Sequence, residues 1–591
     1  MAAGGPRAEY ERRLAARARR AARAAARERR IANLRLLAFI AAGLALWLLS
    51  GHVSPLVLLA GFGALFTALV IVHVRVKDVL ARARRAEAYY RRGLDRLALR
   101  FTGAGESGEA WADADHPYAT HLDLFGEGSL YELLCGARTT GGRETLARWL
   151  CEPAPATEVA ARQEAVRELA GRLDLVEELG TLEGRVFAAF GSSDLEAWAT
   201  APPALPSGPV RTLAAGLAGA TLAAAVAAPW VGTPPLAWLL LLELALWWRL
   251  RRRVGFVLDA VDQPAGALRL VRSALSRIER ERFEAPRLRA IAPAATPGVK
   301  PASERLADLL RRIDALEWRR NQMFLPIALL LLWGTNWAFA IERWRREHGT
   351  EVASWIRHVA ELEALLDLGR LAYERPGWTF PSVRAGAARL EAEALAHPLL
   401  PECTPNDVSL ETEPALLVVT GSNMSGKSTL LRTVGINAVL AQTGAPVRAG
   451  SMSMSELSIG ASIRTVDSLR DGASRFYAEI RAIRRSLDVA ETPPPGLFLL
   501  DELLHGTNSH DRRLGADAIV RAFLARGAIG IVTTHDLALA EIADELAPRA
   551  ANAHFEFALE GGEIRFDYTL HPGVVKSGNA LAIMRSAGLD V

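Results

Sequence analysis

Four runs of almost uncharged sequence constrain this chain more than anything else in it. Leu36 to Leu49 and Val53 to Val74 each approach the roughly 20 residues a helix needs to cross a bilayer, and Gly51, His52, Ser54 and Pro55 supply the turn between them. A second pair, Thr212 to Val231 and Leu236 to Trp248, is divided by Gly232, Thr233, Pro234 and Pro235. Lipid offers no hydrogen bonds to a backbone, and a helix satisfies its own. The runs therefore predict two transmembrane helical hairpins, over residues 36–76 and 210–250. Arg30, Arg35, Arg75, Lys77, Arg211, Arg249 and Arg251 to Arg253 flank their outer ends, while neither turn carries a Lys or Arg. By the positive-inside rule this makes a multi-pass protein of the inner (cytoplasmic) membrane with its large segments in the cytosol. Glu243, inside the fourth run, is costly in lipid and points to helix packing, snorkelling or an ion pathway.

With 591 residues, the chain exceeds one hydrophobic core, so two or three soluble units accompany the hairpins. The net charge of +4 is small, yet the first 35 residues hold eleven arginines against Glu9, Glu11 and Glu28. Residues 1–35 read as a basic helix whose arginines do not keep to one face, suited to anionic lipid or to DNA. The segment precedes paired apolar runs and shows no convincing small-residue cleavage site, which favours an anchor over a removable signal. Cys135, Cys151 and Cys403 have no metal-ligand spacing and an odd count, which argues against zinc sites and disulfide frameworks and fits a reducing compartment. Residues 82–100, 157–198 and 258–320 have the apolar spacing and Arg/Glu pairs of amphipathic helices. Residues 77–209 and 251–395 accordingly read as a helical linker and core. After Pro414 short β-rich runs (Ala415 to Thr420, Gly496 to Leu500, Ile529 to Thr533) alternate with helical stretches, giving an α/β domain over 396–591.

The first of these strands leads into Gly421, Ser422, Asn423, Met424, Ser425, Gly426, Lys427, Ser428 and Thr429, a GxxxxGK[ST] loop between strand and helix. In such a loop backbone N–H groups point at phosphate, the lysine reaches the β and γ oxygens, and the hydroxyl after it binds Mg²⁺. These residues predict an ATP site with Mg²⁺. The strand Leu497 to Leu500 ends in Asp501 and Glu502, an order that suits a carboxylate holding Mg²⁺ through water and a second one polarising the attacking water. Ile529 to Thr534 ends at His535, positioned to meet the γ-phosphate. The apolar run Met323 to Ile341 would be a fifth span by hydropathy, but crossing there would carry this site out of the cytosol. Basic residues also stand at both ends of the run. It is expected to be a buried core helix or a non-crossing segment.

The sequence around the loop resembles the MutS family of DNA mismatch repair ATPases. TGSNMSGKST is similar to the family's TGPNMGGKST, including Asn423 and Met424. Asp467 to Glu479 resembles the signature segment, whose serine, here Ser474, reaches the nucleotide held by the partner subunit. Gly506, Thr507, Asn508, Ser509, His510 and Asp511 follow the acid pair as GTSTxDG does in the family, with Arg512 replacing the last glycine. More weakly, Leu122 to Leu150 resembles the opening of the family's helical core, Glu361 to Leu365 with Pro381 its close, and His397-Pro398 the entry to the ATPase domain. The resemblance implies an all-α MutS-like core interrupted by the second hairpin, an ABC-like P-loop ATPase domain, and a homodimer with composite ATP sites. Nothing before Leu122 resembles the mismatch-reading domain, and Cys403 stands where an aromatic that stacks on adenine is expected. Two functions follow: an ATP-driven switch on DNA, or a membrane-associated switch acting on a protein or lipid partner without nucleic acid.

Overall fold

The computed structural model describes residues 4–49, 54–182, 192–206, 208–262, 264–292, 298–318, 321–322, 324–422, 424–463, 475–504, 509–560 and 563–574. They divide into two units. The first comprises Met1–Gly136, Leu146–Leu173 and Leu365–Val591, the second Ala137–Thr145 and Asp174–Ala364.

The first unit begins with two long helices, Pro6–Leu49 and Pro55–Leu97. They run antiparallel: Tyr10 packs edge-on against Tyr90 at 5.4 Å, Glu28 faces His73 at 3.6 Å, and the Arg35 guanidinium lies 5.3 Å over the Phe66 ring. Tyr10, Ala21, Ala24 and Ile31 of the first helix are buried, as are Val76, Leu80, Ala83, Ala86 and Tyr90 of the second, at the three- and four-residue spacings of a coiled-coil seam. Beyond the seam, Leu36, Leu37, Phe39, Ile40, Leu56 and Val57 are all more than half exposed. A helix apolar on its outward faces suits lipid. The sequence boundaries at 35/36 and 76/77 fall inside these helices, so the basic segment and the span form one uninterrupted rod. At its base, Tyr10 Oη donates to Glu374 (3.2 Å) and the Arg96 guanidinium pairs with the same carboxylate (2.6 Å). Arg375 donates to the carbonyls of Arg96 (2.6 Å) and Leu97 (3.0 Å), closing the end of the second helix.

The α/β part of this unit holds ten strands among the described residues: β1 (Ser382–Arg384), β2 (Leu390–Leu395), β3 (Asn406–Leu410), β4 (Leu416–Thr420), β5 (Ser451–Ser455), β6 (Ser458–Ser462), β7 (Gly496–Leu500), β8 (Ile529–Thr534), β9 (Ala550–Glu560) and β10 (Glu563–Pro572). One sheet has the order β1-β5-β2-β3, the other β10-β9-β4-β8-β7-β6. In the larger sheet β9, β4, β8, β7 and β6 are parallel, and β10 returns antiparallel along β9. The apolar runs that predicted β4, β7 and β8 are buried throughout, as strands covered on both faces must be. Because β1 and β2 belong to this unit, it begins before the expected boundary at residue 396.

The second unit is helical. Pro209–Val231 and Pro234–Asp262 form its apolar hairpin, and Ala214, Ala218 and Thr221 are buried along the first helix. Glu243, on the second helix, is buried as well. Three helices among the described residues are long and apolar enough to cross a membrane: the two N-terminal ones and Pro209–Val231. The expected fourth, Pro234–Asp262, is not among them. Its apolar stretch from Leu236 ends at Trp248, contains Glu243 and runs into Arg249 and Arg251 to Arg253 without a break.

Of the predicted amphipathic stretches, 82–100 continues the long helix Pro55–Leu97, while the other two appear as shorter helices, among them Leu173–Gly180, Pro264–Ile278 and Ala302–Glu317. The run 323–341 is not one helix either. Leu325–Leu330 stops at Leu331, Leu332 takes φ +43°, and a new helix, Trp333–Glu374, begins. The expected buried core helix is met only after the break: Leu325, Ile327 and Leu329 are exposed, whereas Leu332, Ala338, Phe339 and Ile341 are buried.

Candidate functional site

The loop after β4 turns on two glycines. Gly421 (φ +156°) and Gly426 (φ +105°) occupy the left-handed region. A Cβ on Gly421 would stand 2.8 Å from Ser425 Oγ, and one on Gly426 would stand 3.3 Å from the Tyr568 ring. The chain then enters the helix Lys427–Thr443, whose first turn leaves N–H groups directed into the loop. Lys427 Nζ donates to the carbonyls of Gly421 (2.7 Å) and Ser422 (2.8 Å). Burial pulls its ammonium below the usual range, and the charges of Glu502 and Asp501 oppose that shift.

The acid pair sits at the end of β7. Asp501 Oδ1 accepts a hydrogen bond from the hydroxyl of Thr533, at the neighbouring position of β8. Glu502 N donates to the Thr533 carbonyl (3.1 Å) and hydroxyl (3.2 Å), and Glu502 itself takes φ +47°. Thr533 is thus the bracket that turns both carboxylates out of the sheet. His535 Nδ1 lies 3.6 Å from Glu502 Oε1.

A cavity of about 850 Å³ gathers Met424, Gly426, Lys427, Ser428 and Thr429 with Asp501 and Glu502. Among the described residues the Ser422 and Ser425 hydroxyls are buried without a hydrogen-bond partner. Such groups normally find one, and phosphate oxygens would supply it. A helix N-terminus, a buried lysine and two carboxylates on one cavity, with two orphaned hydroxyls in the loop that leads to the lysine, are a donor set that fits a nucleotide with Mg²⁺. Asn423, Ser474 and residues 505–508 lie outside the described residues.

The opposite wall contains Leu395, Leu400, Cys403, Asn406, Phe555 and Tyr568. Here sequence reasoning missed the aromatic. The β9–β10 ladder shifts register between Phe566 and Leu570, and Tyr568 (φ +55°) projects from that bulge. Asn406 pins it: Nδ2 donates to the Tyr568 carbonyl (3.0 Å), and Oδ1 accepts from Leu570 N (2.6 Å). An aromatic among the alternating residues of a late strand was the available signal. Its approach to a loop far back in the chain was not.

Comparison with known proteins identifies the fold around this cavity. Residues 417–590 match the family model of MutS domain V. The chain is 32% identical to endonuclease MutS2 of Thermus thermophilus over 209 residues, covering 34% of this chain and 26% of that protein. It is 32% identical to the DNA mismatch repair protein MutS of Aquifex pyrophilus over 238 residues, 39% of this chain and 27% of the other. With MutS of Thermus caldophilus the identity is 31% over 290 residues, 48% of this chain and 32% of the relative. The chain therefore spans about a third or less of the length of the curated relatives it matches. Domain V carries the MutS-type ATPase fold, and the cavity lies at the carboxyl ends of its parallel strands, the usual place for a ligand in such sheets.

Proposed function

We propose that this chain is a membrane-anchored MutS-like ATPase that couples ATP binding and hydrolysis to a conformational switch on DNA. The observation that carries this reading is the convergence of Lys427, Ser428, Asp501 and Glu502 on one cavity in a MutS domain V. Lys427 and the loop N–H groups bind the β- and γ-phosphates, and the Ser422 and Ser425 hydroxyls gain their missing partners. Ser428 and Asp501 would hold Mg²⁺, which supplies charge neutralisation at the phosphates. Glu502 orients and polarises the attacking water, with His535 beside it facing the γ-phosphate. Tyr568 gives the base the stacking face that Cys403 does not.

The domain is ABC-like and works as a homodimer, with Ser474 completing the partner's site in trans. Its closure over ATP changes the separation of the helical arms, which form a MutS-like core interrupted by the second hairpin. The N-terminal hairpin anchors the protein in the inner membrane, the apolar hairpin from Pro209 adds to the anchor, and the nucleotide domain lies in the cytosol. DNA is the partner, and recognition of mismatches is not part of the proposal.

The test is ATP turnover by the detergent-solubilised full chain, with and without duplex, mismatched and single-stranded DNA, beside Glu502→Gln. Stimulation of the wild type by DNA and near-silence of the variant are expected. Turnover indifferent to every DNA form would replace DNA with a protein or lipid partner. Equal turnover in the variant would overturn the site. Loss of turnover in Ser474→Ala, with ATP binding retained, would support the composite arrangement.

A further inference from the structure

We infer that the cytosolic part of the N-terminal helix pair is a docking surface for the phosphate backbone of nucleic acid. The inference deepens the DNA reading above and rests on it.

In sequence the arginines of the first helix follow no single face, and pairing of the helices leaves five of them aligned on the outer side, with exposed Arg7, Arg20 and Arg29 to either side of that row. The seam takes Tyr10, Ala21, Ala24 and Ile31, and Arg13, Arg17 and Arg35 fall half-buried beside it. Arg12, Arg19, Arg23, Arg27 and Arg30 are exposed. At 3.6 residues per turn these five lie within an arc of about 80° on the side away from the seam, in a row about 27 Å long. The helix's own carboxylates neutralise only the far end of that row, where Glu9 pairs with Arg12 as well as Arg13; Glu11 pairs with Arg7, Glu28 faces His73, and Arg19, Arg23, Arg27 and Arg30 are left to solvent. Lys77 and Arg84 add exposed positive charge to the second helix seven residues apart, whereas Arg91, one heptad on, pairs with Glu87.

Anionic lipid accounts for only the near end of this row. Pro6–Leu49 is one helix, so the stalk continues the direction of the span and cannot lie flat on the bilayer. With 1.5 Å per residue, Arg23 stands about 20 Å and Arg12 about 36 Å along the axis from Leu36. Tilts of up to about 40° shorten these heights by roughly a quarter. Both remain beyond the ~8 Å over which a charged surface acts at physiological salt. A linear polyanion, with one charge per ~1.7 Å of duplex axis, matches a straight row of guanidinium groups that far from the membrane.

The test uses the full chain in neutral phosphatidylcholine nanodiscs. Arg19, Arg23 and Arg27 are changed together to Gln, which keeps helix propensity. Turnover without DNA should be unchanged. Duplex DNA binding should weaken at least about tenfold at 0.15 M salt, and the slope of log K against log salt should fall by about 2 to 3, at ~0.9 per lost phosphate contact. Wild-type strength and slope in the variant would overturn the inference while leaving the DNA reading intact. So would unchanged DNA binding with an altered turnover response to phosphatidylserine, which would make the row a lipid surface. If the wild type itself binds no DNA, the DNA reading fails first and takes this inference with it.

Discussion

Replacing Thr533 with Val tests the site at the residue sequence reasoning overlooked. Thr533 is fully buried, donates its hydroxyl to Asp501, and receives the Glu502 N–H at 3.2 Å. Valine keeps the shape and the β preference, so the strand should stay in place. What is lost is a hydrogen bond to a charged group, worth about 1.5 to 3 kcal/mol. At 1.4 kcal/mol per tenfold, that predicts a loss of about 10- to 150-fold in whatever depends on the Asp501 carboxylate. The same range, 10- to 100-fold, is typical when a residue supporting a metal ligand is removed. The assay is ATP turnover titrated with Mg²⁺, beside nucleotide binding measured in EDTA. The Mg²⁺ concentration for half-maximal turnover should rise by that factor, metal-free binding should hold, and Thr533→Ser should restore the wild-type curve. An unchanged Mg²⁺ requirement in Thr533→Val would refute the assignment of Asp501 and its bracket.

Three further outcomes are expected. Lys427→Ala should abolish ATP binding, whereas Glu502→Gln should bind ATP normally and lose about 100- to 10,000-fold in hydrolysis, the range for a general base; normal turnover in either would contradict the site. Tyr568→Ala should weaken ATP binding about 5- to 150-fold, from ~1–3 kcal/mol of stacking, and Tyr568→Phe should not; equal affinity in all three proteins would remove Tyr568 from the base site. His397 is buried, and burial, with Arg432 and Arg448 nearby, lowers its pKa from 6.5 to about 4. A folded-state pKa below the unfolded one gives stability that is complete above pH 6.5 and is lost as the pH falls toward 4. Its size is about 3 kcal/mol. Thermal melts across that window should therefore flatten in His397→Gln, and a variant melting in parallel with the wild type would contradict the assignment.

The parts of the fold visible in the sequence are those whose causes are local. Strands β4, β7 and β8 are continuous apolar runs because both faces of the sheet are covered, and the loop from Gly421 to Thr429 carries its glycines and lysine in consecutive order. The end of β7 at Asp501 and Glu502 was legible for the same reason. Other features depend on pairings that no window contains. Tyr568 reaches the cavity through a bulge held by Asn406, a residue of another sheet. Thr533 supports Asp501 only because β7 and β8 are neighbours in register. The arginine row emerges once the seam decides which face of the first helix is inside. In the opposite direction, hydropathy overstated the span after Pro234, where arginines follow the apolar stretch within the same helix, and it did not register the break at Leu332.

The unbroken helices Pro6–Leu49 and Pro55–Leu97, fixed at their base to Glu374, act as a spacer of set length rather than a tether. From Pro6 to Arg35 the rod measures about 45 Å at 1.5 Å per residue, against the wandering reach of a flexible linker of equal length. The base of the rod, with the strands that follow Glu374, is therefore held at a nearly constant height above the bilayer. Encounters between two such chains are confined to a plane with their relative tilt already restricted. The proposed pairing of two copies, which would need a high concentration in free solution, would then need only that both share one membrane.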